Sequence, residues 1–230
     1  MRTVDVVVVS DKKIIAESEE KTQSSTKLVK NLEKLTSAIG KVVKETQEPF
    51  SVTGENSALV VKFEPPKPLT LIARDLPTSG DQSEINIDIM NSTSSPPKRR
   101  PSLVRAEIPA EAFGNENQAV SSLIFRENTL LQETNNTRPV TSSVLSITVG
   151  DRPVSNLKTP LILRFQRTTI FTFNETFNGT DLCSFWNFSA RKFIYHISVS
   201  KLKNKFTKKV FSTSQNDCIL PGLGFNNKYY

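Results

Sequence analysis

One histidine, two cysteines and one tryptophan limit the chemistry open to this 230-residue chain. His196 is the only imidazole, and no Ser-His-Asp constellation can be assembled around it. Neither a Gly-rich phosphate loop nor a Gly-x-Ser-x-Gly elbow is present. With so few soft ligands a four-ligand zinc site cannot be built, so the sequence predicts no catalytic residue, no metal and no cofactor. Cys183 and Cys218 permit one disulfide in an oxidising compartment, and are otherwise two unrelated thiols. The carboxylates of Glu17, Glu19 and Glu20 read as a solvated helix face.

Two kinds of modification site and one charged tract remain. Asn91, Asn135, Asn174, Asn178 and Asn187 each open an Asn-x-Ser/Thr acceptor pattern for N-glycosylation, which favours an exported chain. Lys98-Arg99-Arg100 with Ser102 lies in a Ser- and Pro-rich stretch and reads as a solvated loop. Residues 191–230 hold eight basic residues against Asp217 alone, which accounts for the whole net charge of +7. That excess belongs to a tail, not to a folded basic face, and no nucleic-acid reading motif accompanies it, so no nucleic acid is expected.

The elements that must position these residues follow from periodicity. Leu28, Leu32, Leu35, Ile39 and Val42 or Val43 recur at helical spacing, with Ser24, Ser25 or Thr26 as caps and Gly40 as an end or weak point. Val4–Val9 is open between strand and loop, and helix is possible from Ile14. After Pro49 the period changes to two. Strands are predicted at Ala58–Phe63, ended by Pro65, Pro66 and Pro68, and at Thr70–Arg74 and Glu84–Ile89. Further strands cover Ser102–Pro109, Ala119–Arg126, Val144–Val149 and the run containing Leu161, Leu163 and Phe165, with a turn at Gly150-Asp151. Many short strands at this spacing mean a sandwich or barrel. The fold class is therefore mainly β with an N-terminal helix, α+β. No run is apolar enough to span a membrane, and the first ten residues, interrupted by Asp5, do not fit a secretory signal.

Four segments in fixed order carry a resemblance. Val120–Leu131, Val144–Leu157, Thr159–Gln166 and Cys183-Ser-Phe-Trp-Asn-Phe-Ser189 together resemble the GAIN domain of adhesion G protein-coupled receptors, including the opening of its proteolysis motif. The resemblance spans about Pro101–Ser189. It implies an extracellular module in which a helical subdomain precedes a twisted β-sandwich, ahead of a seven-helix membrane domain. By position, Cys183 is the motif's first cysteine and Trp186 its first tryptophan, packing the sandwich end beside Phe185. The implied divisions are a helical segment at 1–48, the sandwich with the start of the motif at 49–190, and a divergent basic tail at 191–230.

The chain departs from the family after Ala190. No second tryptophan, no Cys-x-Cys and no His-Leu-Thr/Ser tripeptide follows. His196-Ile197-Ser198 has the elements that self-cleavage needs, a histidine base and a hydroxyl two residues on, but it comes only thirteen residues after Cys183. It reads as a histidine in the strand Phe193–Val199. The expected function is a non-catalytic structural and interaction module of such a receptor, truncated before the tripeptide, the agonist strand and the membrane domain. The expected partners are that membrane domain and an extracellular ligand protein, at the outer face of the plasma membrane. The alternative is a basic-tailed protein that binds glycosaminoglycan, acidic lipid or nucleic acid through 191–209, and weak polyanion binding is expected of the tail in either case. A Cys183–Cys218 bridge would pin the tail to the sandwich, whereas a sandwich lacking its last strand would leave an open edge and be of low stability.

Overall fold

The computed structural model describes residues 12–78, 83–92, 101–126, 142–151 and 157–166, and the backbone of 182–187, 192–197 and 215–220. Val4–Val9 and the Lys98–Arg100 run lie outside the described residues. Two helices, α1 (Lys12–Thr22) and α2 (Ser24–Thr46), precede the strands. The four-stranded antiparallel sheet has the order β1 (Phe50–Val52), β2 (Ser57–Glu64), β6 (Gln118–Phe125), β7 (Val144–Val149). The five-stranded sheet runs β11 (Gln215–Leu220), β8 (Leu161–Gln166), β5 (Val104–Ile108), β3 (Leu69–Pro77), β4 (Ser83–Asn91). A separate two-stranded ribbon joins β9 (Leu182–Asn187) to β10 (Lys192–Ile197). The class is thus mainly β with N-terminal helices.

The two larger sheets share one core. Ile85 and Ile87 of β4, Val104, Ala106 and Ile108 of β5, Leu145, Ile147 and Val149 of β7, and Leu161 and Leu163 of β8 all contribute to it, with Ile89 and Phe165 packed at its margin. These are the alternating sets read from the sequence, and on β4, β5 and β8 only the core-facing positions are fully buried. β2 behaves differently. Ala58 and Val60 enter the shared core, while Leu59 and Val61 enter a second cluster with Val29 and Val43 of α2 and with Leu123 and Phe125 of β6. The four-stranded sheet is therefore a middle layer, covered on both faces, and its strands need apolar residues at consecutive positions.

The first helices correct four expectations. Ser24, Ser25 and Thr26 lie inside α2, and the position before it is Gln23, in the left-handed region at φ 57 and with no side-chain cap. The capping acceptor is the buried Glu19 of α1, whose carboxylate receives the Thr26 N–H at 3.0 Å and the Thr26 hydroxyl. Glu19 is accordingly not part of a solvated face, although Glu17 and Glu20 are exposed. Gly40 does not end the helix. A Cβ there would lie 3.3 Å from the Ala119 Cβ, so glycine permits a close approach of α2 to β6. Of the expected stripe, Leu28, Leu32 and Ile39 pack against the second cluster and Val43 is buried, joined by Val29, Thr36 and Gly40, while Leu35 and Val42 are more than half exposed.

Connections between the sheets are tied by charged groups. The buried Glu64 closes β2 with Lys62 at 2.6 Å and Lys67 at 3.0 Å, just where the prolines at 65, 66 and 68 carry the chain across to β3. The turn at Gly150 has φ 60, a conformation that glycine adopts without a Cβ penalty. Arg126, just past β6, is the main staple. Its guanidinium donates to the Glu55 carbonyl at 2.8 Å and to the Ser83 hydroxyl at 3.2 Å, and pairs with Asp75 at 2.8 Å. Its backbone N–H donates to the Asn56 carbonyl, and its own carbonyl accepts the Ser143 hydroxyl at 3.1 Å.

Candidate functional site

The residues singled out from the sequence gather on β8 to β11, and the entry to that region is held from a distance. Glu111 sits in the 3-10 turn Ala110–Phe113, and its carboxylate accepts the Lys158 N–H at 2.7 Å, the Thr159 N–H at 3.1 Å and the Thr159 hydroxyl at 3.2 Å. These bonds, led by the one from the Thr159 backbone and opposed by partial desolvation, hold the Glu111 carboxyl below its ordinary pKa. A carboxylate bound by two consecutive amides fixes the backbone that leads through Pro160 into β8. Nothing near Glu111 in the sequence signals this role, since its partners lie 47 and 48 residues away.

The motif segment forms a complete ladder. β9 and β10 pair antiparallel with Asn187 opposite Lys192, Trp186 opposite Phe193, Phe185 opposite Ile194 and Cys183 opposite His196. By register, Trp186 and Phe193 share one face of the ribbon, and Cys183, Phe185, Ile194 and His196 share the other. His196 and Ile197 are therefore regular ladder positions, and Ser198 lies outside the described residues.

Cys218 lies on β11, opposite Leu163 of β8, on the side of the sheet that faces the core. The structure thus places the two cysteines on different ladders, Cys183 in the ribbon and Cys218 in the five-stranded sheet. Of the acceptor asparagines, Asn91 ends β4 and is exposed, and Asn187 ends β9. Asn135, Asn174 and Asn178 lie outside the described residues, as does the basic run Lys201–Lys209. Among the described residues no three His, Cys, Asp or Glu side chains form a group that could hold a metal ion. No helix among them is long and apolar enough to cross a membrane.

The outer face of the five-stranded sheet carries a charged belt that the sequence did not disclose. Arg74 pairs with Asp88 at 3.0 Å, and Glu107 pairs with both Arg105, at 3.3 Å, and Arg164. Thr70, Ile72 and Arg74 on the same face are buried.

No curated protein matches this sequence. The full extracellular region of zebrafish Gpr126/Adgrg6 has a similar structure, with a TM-score of 0.62 at 16% identity, over 96% of this chain and 27% of that one. The chain thus spans little more than a quarter of that region, and the likeness bears on the fold. The model of the GPS family, described as GAIN subdomain B, matches residues 74–193, from within β3 to within β10. Since that match takes in more than half of the sequence, the chain belongs to the GPS family of GAIN subdomain B.

Proposed function

We propose that this chain is a non-catalytic structural and interaction module from the extracellular region of an adhesion G protein-coupled receptor, acting beside that receptor's membrane domain. The observation that carries the reading is the continuous β9–β10 ladder, which holds His196 opposite Cys183. Self-cleavage in this family's manner requires a histidine, a following hydroxyl and a strained turn that presents the carbonyl to attack. Among the described residues the segment is a regular extended strand through Ile197. The module's role is then to present a folded surface and to transmit contacts, with an extracellular protein as ligand.

An extracellular position also suits Asn91, exposed at the end of β4 and followed by Ser92 and Thr93. Asn135, Asn174, Asn178 and Asn187 are further acceptors, and a Cys183–Cys218 bridge is compatible with that compartment. The test is the intact mass of the chain after expression through a secretory pathway. One uncleaved species is expected, heavier than 25.7 kDa and brought to that mass by peptide N-glycosidase, apart from the mass changes that enzyme and a disulfide introduce. Two fragments separated between Ile197 and Ser198 would overturn the non-catalytic reading. A secreted chain with no glycan at any of the five sites would count against the extracellular one.

A further inference from the structure

Helix α2 has two unlike faces. Val29, Thr36, Gly40 and Val43 are buried, and the first and last of them pack with β2 and β6. On the other side Lys27, Lys34 and Lys41 are exposed and follow one another at intervals of seven. An α-helix rises about 1.5 Å per residue and drifts only about 20° per seven, so the three side chains leave the helix within an arc of about 40° along about 21 Å. At 3.6 residues per turn, Lys34 stands about 120–180° around the axis from each of the four buried residues. Lys44 is also exposed and extends the row. Lys30 lies beside it but is engaged within the chain, and the row does not depend on it. None of the ion pairs among the described residues involves Lys27, Lys34, Lys41 or Lys44. Residues 24–46 hold five lysines against Glu33 and Glu45. Lys27, Lys30 and Lys34 even stand at spacings of three and four, where like charges destabilise a helix. Solvation alone asks for no such row, since mixed charges serve it without that repulsion.

We infer that this row is a docking surface for a linear sulfated polysaccharide laid along α2. Charge complementarity carries the choice of a polyanion: a polymer with closely spaced negative charges gains by releasing its condensed counterions to a line of fixed ammonium groups. A lipid surface fits less well. A helix that lies among headgroups inserts its apolar face, and the apolar face of α2 is taken up by the sheet, which leaves only Leu35 and Val42 of its large apolar side chains exposed. The choice of a polysaccharide over nucleic acid rests on the extracellular reading, whereas the cationic row does not.

Titration of the full chain with heparin across a salt series tests this. The triple variant Lys27→Gln, Lys34→Gln, Lys41→Gln is expected to bind about tenfold or more weakly near physiological salt, and to lower the slope of log affinity against log salt by about two to three. The triple Lys201→Gln, Lys203→Gln, Lys205→Gln removes the same charge from the last forty residues and is expected to change both quantities less. Gln and Lys have similar helix propensities, so the urea midpoint is expected to stay unchanged. Should the helix triple shift it, Lys34→Gln alone is expected to lower the slope by about one with the midpoint kept. Helix variants that bind like the unsubstituted chain, or equal losses in the two triples, would overturn the site. Tighter binding of anionic phospholipid vesicles or duplex DNA than of heparin through the same lysines would overturn the choice of partner. Heparin binding is read in solution and the glycans by mass, so a failure here and a failure of the extracellular reading are told apart.

Discussion

Glu64 shows how one buried carboxylate can make this fold sensitive to acid. Burial pushes its pKa up, but hydrogen bonds and charge attraction from Lys62 and Lys67 outweigh this and leave it below the ordinary value of 4.5. A carboxyl with a depressed folded-state pKa binds its proton more readily in the unfolded chain. Its stabilising contribution is therefore complete above the unfolded value and is lost as pH falls through the folded one. Urea midpoints for Glu64→Gln and the unsubstituted chain are expected to differ at pH 7 and to converge as pH is lowered past 4.5. A gap that stays constant with pH would show that the carboxylate's charge does not matter. Glu19 and Glu111 differ from Glu64 in their partners: each receives backbone N–H groups from a helix start or loop elsewhere in the chain, with no local pattern to announce it.

For individual elements, what the sequence disclosed depended on how many faces an element buries. The strands containing Ile85, Val104 and Leu161 alternate because one side faces the common core, and such strands can be read directly. β2 and β6 bury both sides, so their apolar runs located the strands without assigning the faces. The helix periodicity placed α2 and most of its inward face, Leu28, Leu32, Ile39 and Val43, whereas Leu35 and Val42 are left outside because the small Gly40 draws the other edge onto Ala119. That contact gives a prediction. Gly40→Val introduces a branched side chain where even a Cβ is tight, and is expected to cost about 1–3 kcal/mol in denaturant titrations through overpacking. An unchanged midpoint would mean that α2 can move off the sheet freely. At the candidate site, the order and spacing of Cys183 and Trp186 were legible. The pairing of β10 with β9 and of β11 with β8 was not, because partner choice between distant strands leaves no mark on either strand alone. The charged belt escaped notice for the same reason, since Asp88, Arg105 and Arg164 fall into one row only once three strand registers are known.

Across the whole molecule, the sandwich was expected to leave an open edge, and the outer flank of β8 carries β11. Among the described residues the outer strands of the five-stranded sheet are β11 and β4, and β4 is tied at one point by the Ile85 N–H donating to the Gly54 carbonyl. Arg126 has a different consequence at this scale. Because its carbonyl binds the Ser143 hydroxyl, the residues that flank 127–141 are joined by a hydrogen bond and by the β6–β7 ladder. The cost of closing a loop between fixed ends grows only with the logarithm of its length, about 0.6 kcal/mol for each doubling. Doubling 127–141 with Gly and Ser residues should therefore shift the unfolding free energy by about that amount, and a loss of several kcal/mol would show that the native stretch itself braces the sheets. If the small shift is found, the site is a port: a place where evolution or an engineer can splice in a binding loop, a reporter or a whole further domain and leave the scaffold's own architecture undisturbed.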